Sequence, residues 1–345
     1  MTQKIAQSII IPCKNEENYI ANCLNYLLEQ DIDFKKSEIF VVDGLSTDNT
    51  IEIVKSYEKK HPCITLLHNK HQTVPYAMNL GIEKAKGTYI IRIDAHATYP
   101  KNYISTLLYW HKKLKADNVG ALCKTLPPDN TIMAKTIATS ISHPFGVGNS
   151  HFRIGSKDIK QVDTVPFGCY KKSLFDKIGL YDTELTRNQD DELNARIIKN
   201  KGKIYLISSL IINYYPRSKL TQTIKMFYQY GLFKPLILKK LKKPSTIRQL
   251  IPFLFVTTII CNTLLLLVNS LSFYILCSTL ILYSSASFII STIIFIKEKK
   301  KNIIFIFSLM LCFFSIHVSY GIGYAIGILQ LISFNKHKKN ISISR

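Results

Sequence analysis

Residues 7–30 read QSIIIPCKNEENYIANCLNYLLEQ, and this stretch decides the fold class. Its apolar run, 8–12, is typical of a buried strand, and a polar turn follows. From about Glu17 onward, apolar residues recur on one face of a predicted helix: Ile20, Leu24, Leu27 and Leu28. A buried strand followed directly by an amphipathic helix is the repeating unit of a sheet covered by helices.

The same scheme continues through the first hundred residues. Residues 38–42 predict a second strand, and the helix after it has Ser46, Thr47 or Asp48 as its N-cap. ITLLHN predicts a third strand before a helix that ends at Gly87, and TYIIRIDAH predicts a fourth strand over 88–96. The alternation predicts an α/β fold with a mostly parallel sheet flanked by helices.

Polar residues follow three of these strands at the point where each strand ends: Pro12–Glu16, Asp43–Ser46 and Asp94–His96. Because the carboxyl ends of parallel strands meet at one edge of a sheet, ligands bind there. We therefore expect one binding site at this edge.

Asp94 and His96 are two positions apart on the predicted fourth strand, so their side chains would face the same side. A carboxylate and an imidazole there suit a divalent cation that bridges phosphate oxygens, with Mn²⁺ accepted beside Mg²⁺. Taken alone, the pair is better explained by a strand-end hydrogen bond. Its position level with two other polar strand ends favours the cation.

Asp43 follows four apolar residues and precedes a glycine. A carboxylate at this place can accept a hydrogen bond from a base or a ribose hydroxyl. It can also be a helix N-cap or a turn aspartate, a role that Asp48 or Ser46 could fill equally well. Asn15 and Glu16 lie at the first strand end, where a nucleoside would pack against Pro12.

Three consecutive acids, Asp190, Asp191 and Glu192, stand at the start of another amphipathic helix. The helix macrodipole stabilises acids at this end, so capping explains them by itself. A functional role requires one carboxylate to take a proton from an attacking hydroxyl. Arg196, about one and a half turns beyond Asp190, would orient that carboxylate or neutralise its neighbours.

Charge and hydropathy divide the chain. Residues 1–192 contain 24 Lys and Arg against 22 Asp and Glu, whereas 193–345 contain 21 against one. Residues 250–296 carry no charged side chain, which exceeds the roughly 20 apolar residues that one membrane crossing needs. A further apolar run covers 303–332. These runs favour a membrane surface over nucleic acid as the partner of the basic half.

The predicted organisation is a cytosolic domain over 1–218, basic amphipathic interfacial helices over 219–248, two or three transmembrane helices over 249–332, and a basic tail over 333–345. Anionic lipids would be met by basic side chains of the interfacial region: Arg217, Lys239, Lys240, Lys242 and Lys243. Two crossings would join near 269–272, and the last apolar run either crosses or dips and returns around GIGYAIG.

Three further features bear on location and mobility. The N-terminal apolar run is too short for a signal peptide, so we expect the first half to stay in the cytoplasm. The eight cysteines are scattered without a CxxC pair, which predicts reduced thiols. Residues 142–155, SHPFGVGNSHFRIG, predict a glycine-rich mobile loop.

Together, five motifs resemble a family 2 inverting glycosyltransferase with the GT-A fold. The resemblance is greatest to the succinoglycan- and capsule-type enzymes with C-terminal membrane segments, and it covers 8–233. The motifs are IIIPCKNEENYI, VVDGLSTDNT, AMNLGIEKAKGTYIIRIDAHATYP, VDTVPFGCYKKSLFDKIGLYD and NQDDELNARI. Each motif is weak to moderate by itself, but five in the family's order and spacing are specific.

The resemblance implies roles for the matching residues. Asp190 would be the general base, Asp94 the first carboxylate of the metal motif with His96 beside it, Asp43 the contact to the base, and Asn79 a contact to the donor. Our full candidate set for nucleotide and substrate binding is Pro12, Asn15, Glu16, Asp43, Ser46, Asn79, Arg92, Asp191 and Arg196.

The sequence also departs from the family pattern. The metal motif reads Asp-Ala-His rather than Asp-x-Asp, and Gln189 replaces the glutamate that precedes the base. The Gln-x-x-Arg-Trp element of processive synthases is absent, with QYGLFK over 229–234 only a remote echo. We therefore expect no processive polymerisation.

The resemblance implies a multi-pass enzyme of the plasma membrane. It would move a sugar with inversion from a nucleotide-diphosphate sugar, expected to be a UDP-sugar, to a polyprenyl-linked sugar in surface polysaccharide biosynthesis. Association with other polysaccharide-assembly proteins would follow.

Three alternatives stay open at this point. Polyprenyl phosphate itself could be the acceptor. A transporter with a regulatory nucleotide domain would need ionisable residues within the membrane, where 303–332 offer only His317. A nucleic-acid-binding protein is suggested by charge alone.

Overall fold

The computed structural model describes residues 4–242 and 246–333. The chain divides into two compact units. The first, called the α/β unit here, comprises Met1–Lys124 and His151–Tyr214, and the second, called the helical unit, comprises Thr125–Ser150 and Tyr215–Arg345. The predicted boundary at residue 218 lies close to the end of the α/β unit, but no sequence feature predicted that 125–150 leaves this unit.

The strands of the α/β unit are β1 Gln7–Cys13, β2 Ser37–Asp43, β3 Ile64–His68, β4 Tyr89–Arg92, β5 Ala97–Thr98, β6 Asn118–Thr125, β7 Lys160–Gln161, β8 Cys169–Lys171 and β9 Ile204–Tyr214. Within the described residues they form one sheet in the order β3-β2-β1-β4-β8-β6-β9-β5, with β7 paired to β9. The first four strands of this order are parallel, as predicted. Beyond β4 the neighbours are antiparallel, so the whole sheet is mixed.

The helices in chain order are α1 Ile20–Leu28, α2 Thr50–Lys60, α3 Val74–Lys84, α4 Tyr103–Lys113, α5 Ile132–Ser140, α6 Pro144–Val147, α7 His151–Ile154, α8 Lys172–Ile178, α9 Gln189–Lys199, α10 Leu220–Leu241, α11 Ile251–Leu265, α12 Ser270–Lys297 and α13 Ile304–Ile332. Short 3₁₀ helices cover Phe34–Lys36 and Ile247–Gln249.

Apolar cores cover both faces of the sheet, because side chains alternate along each strand. Ile9 and Ile11 of β1 join the core that includes Leu24 of α1, whereas Ile10 joins the core that includes Met78 of α3. The uninterrupted apolar runs read from the sequence therefore belong to strands buried on both sides.

The end of β4 differs from the prediction. The strand stops at Arg92, and Asp94–His96 lies in a turn. The Asp94 carboxylate accepts a hydrogen bond from the backbone N–H of His96 at 2.9 Å, and the backbone N–H of Asp94 donates to the Tyr99 hydroxyl at 2.8 Å. Such local bonds compete with strand pairing. The expectation that strand periodicity puts Asp94 and His96 on one face is therefore wrong, and a turn brings them together instead.

Among its described residues, the helical unit contains three helices long and apolar enough to cross a membrane: Ile247–Leu265, Ser270–Lys297 and Ile304–Ile332. The first two meet close to the predicted 269–272. The third continues through GIGYAIG, so the alternative in which this segment dips and returns is wrong.

Glycines in this stretch of α13 and opposite it in α10 allow a close approach of the two helices. A Cβ on Gly323 would lie 2.1 Å from the carbonyl oxygen of Tyr228, and one on Gly231 would lie 2.0 Å from that of Tyr320. The glycines thus allow α10 and α13 to pack backbone to backbone, as small residues do in membrane helices.

Other expectations for this unit are revised. One helix, α10, and the short 3₁₀ helix stand where interfacial helices were expected over 219–248. Lys243 and most of the predicted tail, 334–345, lie outside the described residues. The expected mobile loop 142–155 contains α6 and α7, and its Phe145 ring packs on Phe313 of α13 with centroids 4.9 Å apart. All eight cysteines lie within the described residues, and none of them is in a disulfide.

Candidate active site

Direct contacts join the carboxyl ends of β1, β2 and β4. The backbone N–H of Asn15 donates to the Ser46 hydroxyl at 2.8 Å, and the Asn15 side-chain oxygen accepts from the N–H of Thr47 at 2.9 Å. Glu16 Oε1 lies 2.9 Å from Nε2 of His96. The structure therefore brings together the polar strand ends that the sequence singled out, with Pro12 half-buried beside them in β1.

Asp43 is fully buried at the end of β2. Its two carboxylate oxygens accept from the backbone N–H of Ser46, at 3.0 Å, and from the Ser46 hydroxyl. Asp43 therefore organises the turn that holds Asn15. This is the capping role considered from the sequence, and contact with a nucleotide base stays a prediction.

Glu16 and the Asp94 turn form the place where a cation could bind. Glu16 is buried, its backbone N–H donates to Thr50 Oγ1 at 2.7 Å, and its Oε2 has no hydrogen-bond partner among the described residues. The Asp94 carboxylate and the His96 imidazole add an oxygen and a nitrogen donor, which are ligand types that Mg²⁺ and Mn²⁺ accept. In 4–242 and 246–333, no three His, Cys, Asp or Glu side chains hold an ion by themselves.

Asp190 lies in the first turn of α9 and forms an ion pair with Arg92, the last residue of β4. Arg92 is 5% exposed, and its guanidinium carbon lies 5.7 Å from the centroid of the Phe167 ring. Burial raises the pKa of Asp190, the positive charge of Arg92 lowers it in part, and the nearby Asp191 and Asp94 raise it again. The net pKa is above the ordinary value for an aspartate, which suits a base that must accept a proton.

Arg92 was assigned to nucleotide binding on sequence grounds. In the structure its guanidinium pairs with Asp190, as a buried arginine needs an acidic partner, and contact with the nucleotide stays a prediction. Arg92 thus links the base candidate to a turn that begins two residues later at Asp94.

Two other candidates, Asn79 and Arg196, use their side chains in hydrogen bonds to other protein groups. The Asn79 amide makes two hydrogen bonds, both 2.9 Å, to the backbone of Tyr181. Arg196 binds both carboxylate oxygens of Glu192, and it donates to the carbonyls of Ile178, Gly179 and Leu180. The expectation that Arg196 neutralises a neighbour of Asp190 agrees with the contact to Glu192. Direct orientation of Asp190 by Arg196 does not occur, because these partners occupy its guanidinium.

Sequence reasoning missed several residues here. Tyr19 is 47% exposed, and its ring meets the His96 ring edge-on with centroids 4.6 Å apart. Thr164 donates to Oδ1 of Asp191 at 3.2 Å. Only the tertiary fold brings these pairs together, because they are distant in the sequence.

Comparison with known proteins places the chain in a family. The family described as Glycosyl transferase family 2 matches residues 8–179. A Methanococcus voltae protein named dolichyl N-acetyl-alpha-D-glucosaminyl phosphate 3-beta-D-2,3-diacetamido-2,3-dideoxy-beta-D-glucuronosyltransferase is 32% identical over 242 residues, which are 68% of this chain and 74% of that protein. The succinoglycan biosynthesis protein ExoA of Rhizobium meliloti (strain 1021) is 29% identical over 76% of this chain and 78% of its own length.

Among solved structures, the chain is similar to residues 1–349 of S. aureus TarS in complex with UDP-GlcNAc. The superposition has a TM-score of 0.49 and 19% identity, and it covers 68% of this chain and 67% of that one.

Proposed function

The chain belongs to glycosyltransferase family 2, and from that premise we propose that it transfers a sugar with inversion from a nucleotide-diphosphate sugar to a lipid-linked acceptor. The α/β unit has the GT-A-like fold of such enzymes. The donor would bind at the joined ends of β1, β2 and β4, and a UDP-sugar is the expected donor.

Asp94 and His96, with Glu16 beside them, would hold Mg²⁺ or Mn²⁺ together with the diphosphate oxygens. When bound, the cation offsets the negative charge that develops on the departing nucleotide diphosphate. Asn15 and Pro12 would position the nucleoside, and Ser46 and Asp43 would keep Asn15 in place.

Asp190 would take the proton from the acceptor hydroxyl as that oxygen attacks the anomeric carbon. Attack from the face opposite the leaving nucleotide inverts the configuration, as in inverting glycosidases where water is activated. Arg92 would keep the carboxylate ionised between turnovers, since its positive charge favours the anion.

The acceptor is proposed to be a polyprenyl-linked sugar used in a surface polysaccharide. The name of the Methanococcus voltae relative specifies a dolichyl phosphate-linked sugar as its acceptor, and the ExoA name specifies succinoglycan biosynthesis. Three apolar helices and a basic C-terminal half would place the enzyme at the plasma membrane with anionic lipids. Its catalytic unit would face the cytoplasm, near other polysaccharide-assembly proteins.

One observation carries this proposal. Asp190 is in contact with Arg92, which lies two residues from Asp94, and this contact supports one site that contains both the candidate base and the candidate metal turn. Neither residue type is diagnostic alone, but a base beside a diphosphate site is what sugar transfer from a nucleotide requires.

The test incubates membranes that contain the protein with a panel of labelled nucleotide sugars and lipid extract. We expect label in the lipid fraction with one donor, dependent on Mn²⁺ or Mg²⁺ and abolished by EDTA. Label that stays in the aqueous phase with every donor would contradict the proposal. Label transferred equally well by an Asp190→Asn variant would favour polyprenyl phosphate as acceptor, because a phosphate needs no base to attack.

A further inference from the structure

The pair of Asp190 and Arg92 is bordered by one short segment, Thr164–Gly168. At one end of the segment, the carbonyl oxygen of Gly168 accepts from the backbone N–H of Arg92 at 3.1 Å. At the other end, the Thr164 hydroxyl lies 3.2 Å from Oδ1 of Asp191, the residue next to Asp190. The segment therefore contacts both the strand that carries Arg92 and the helix that carries Asp190.

A buried chain of hydrogen bonds holds the Thr164 end. Asn118 of β6 donates from its side-chain amide to Oδ1 of Asn194 at 2.7 Å. Asn194 donates to the Thr164 hydroxyl at 2.8 Å and to the carbonyl oxygen of Val165 at 3.3 Å. Both asparagines are fully buried, and Thr164 is nearly so.

The two acceptor groups at the end of this series of hydrogen bonds fix which group donates in each bond. The Val165 carbonyl and the Asp191 carboxylate accept hydrogen bonds and cannot donate them. The Asn194 amide must therefore point its NH₂ group at the segment, and the Thr164 hydroxyl must donate to Asp191. A connected and buried polar network of this kind rigidifies its surroundings.

Sterics fix the other end of the segment. A Cβ on Gly168 would lie 2.2 Å from the side-chain oxygen of Asn118 and 2.6 Å from the hydroxyl of Tyr170, so only glycine fits. Phe167 has φ +48°, a left-handed conformation that is rare for a bulky residue. Strain of this kind is concentrated at functional sites.

We propose that Thr164 and Asn194 are positioning residues that set the direction of the Asp190 carboxylate toward the acceptor. They would act through Asp191 and the first turn of α9, because successive residues of one helical turn move together. The inference rests on the proposed function, in which Asp190 is the base. Catalysis is sensitive to a displacement of this size, since about 1 Å of misplacement can cost about 100-fold in rate.

The test replaces the Thr164 hydroxyl without changing the size of the side chain. In the full-length protein, Thr164→Val should lower kcat for transfer to lipid by about 10- to 100-fold. Its Kd and KM for the nucleotide sugar should stay at wild-type values, and Thr164→Ser, which keeps the hydroxyl, should restore most of the rate. Thr136→Val is the matched control, because Thr136 is fully buried in the helical unit and, among the residues that the structure describes, its hydroxyl bonds only within α5 and to Cys312.

A double-mutant cycle shows whether Thr164 acts through Asp190. Thr164→Val should cause no further loss of rate when Asp190→Asn is already present. If Thr164→Val does not fold, Thr164→Cys carries the test, since a thiol is a weak hydrogen-bonding group of similar size.

Wild-type kcat in Thr164→Val, or equal losses in the presence and absence of Asp190→Asn, would overturn this inference alone. Wild-type transfer by Asp190→Asn would overturn the proposed base and this inference with it.

Discussion

Two influences act in opposite directions on the ionisation of the Asp190 carboxyl group. Burial favours its neutral form, and Arg92 favours its charged form. The Asp190 carboxylate therefore binds a proton more tightly than an exposed aspartate does, yet the positive charge of Arg92 keeps it ionised. The balance makes Arg92 the residue whose replacement should change the pH dependence of the reaction.

We expect Arg92→Met to move the acidic limb of the kcat profile to higher pH. The sign follows because removal of the positive charge leaves burial to raise the Asp190 pKa further, so the base is protonated at a higher pH. Arg92→Lys keeps the charge and should keep the limb near its wild-type position. An unchanged limb in Arg92→Met would show that Asp190 is not the titrating base.

His111 provides a separate prediction for stability. It is fully buried in α4, neither ring nitrogen has a hydrogen-bond partner within the described residues, and burial lowers its pKa to about 4. The unfolded chain binds a proton at this histidine below about pH 6.5. The free energy of unfolding should therefore fall as pH drops from about 6.5 to about 4, by at most about 3 kcal/mol.

Thermal unfolding of the detergent-solubilised protein between pH 4.5 and 7.5 measures this effect. His111→Leu should flatten the pH dependence, whereas His68→Gln, at an exposed histidine of β3, should leave it unchanged. The same slope in His111→Leu and wild type would contradict the assignment.

Individual side chains show what sequence can and cannot provide. The position of Asp190 among acids at the start of a helix could be predicted from the sequence, because helix-start patterns are local. The hydrogen-bond partners of Asn79 and Arg196 could not be predicted from the sequence. Asn79 bonds to the backbone of a residue about a hundred positions away, and Arg196 bonds to the backbone just beyond the end of another helix. Polar groups find such partners only after the chain has folded.

At the scale of elements, the parallel strands were predictable and the turn at Asp94 was not. Apolar runs such as IIIP and IFVV identify strands that are buried on both faces. The fourth run continues through Ile93, but the bonds of the Asp94 side chain and Tyr99 end the strand early. The two-residue spacing of Asp94 and His96 therefore corresponds to a hydrogen bond within a turn and not to one face of a strand.

The packing of α10 on α13 leads to the third prediction. Gly323→Val places side-chain atoms where the Tyr228 carbonyl oxygen now lies, so the helices must separate. We expect a loss of about 3 kcal/mol in stability, seen as a lower thermal midpoint in detergent. Leu329→Phe, which adds volume at a 63% exposed position of the same helix, is the control and should change little.

An unchanged midpoint in Gly323→Val would mean that α10 and α13 do not pack backbone to backbone.

On the scale of the whole molecule, the two units are interleaved in sequence. Residues 125–150 leave the α/β unit after β6 and return before β7, and in the helical unit Phe145 packs against Phe313 and His317 of α13. Composition did not reveal this, because 125–150 has neither the length nor the hydropathy of a membrane segment. A boundary drawn from composition alone therefore separates residues that pack together.

A fragment that ends at residue 218 should consequently aggregate or require detergent. It retains Ile132 and Phe145 but lacks the apolar helices that cover them. Replacement of 126–149 by a glycine-serine linker in the same fragment should restore solubility, measured by size-exclusion chromatography. A monodisperse 1–218 fragment without the replacement would contradict this prediction.

The central claim is that the joined strand ends bind the donor while Asp190 activates the acceptor. The most direct measurement compares wild type with Asp190→Asn in both nucleotide-sugar affinity and sugar transfer to lipid. We predict an unchanged Kd together with a loss of kcat of at least about 100-fold, since general-base removal typically costs 10²–10⁴. Transfer at the wild-type rate by Asp190→Asn, with the donor bound normally, would contradict the account.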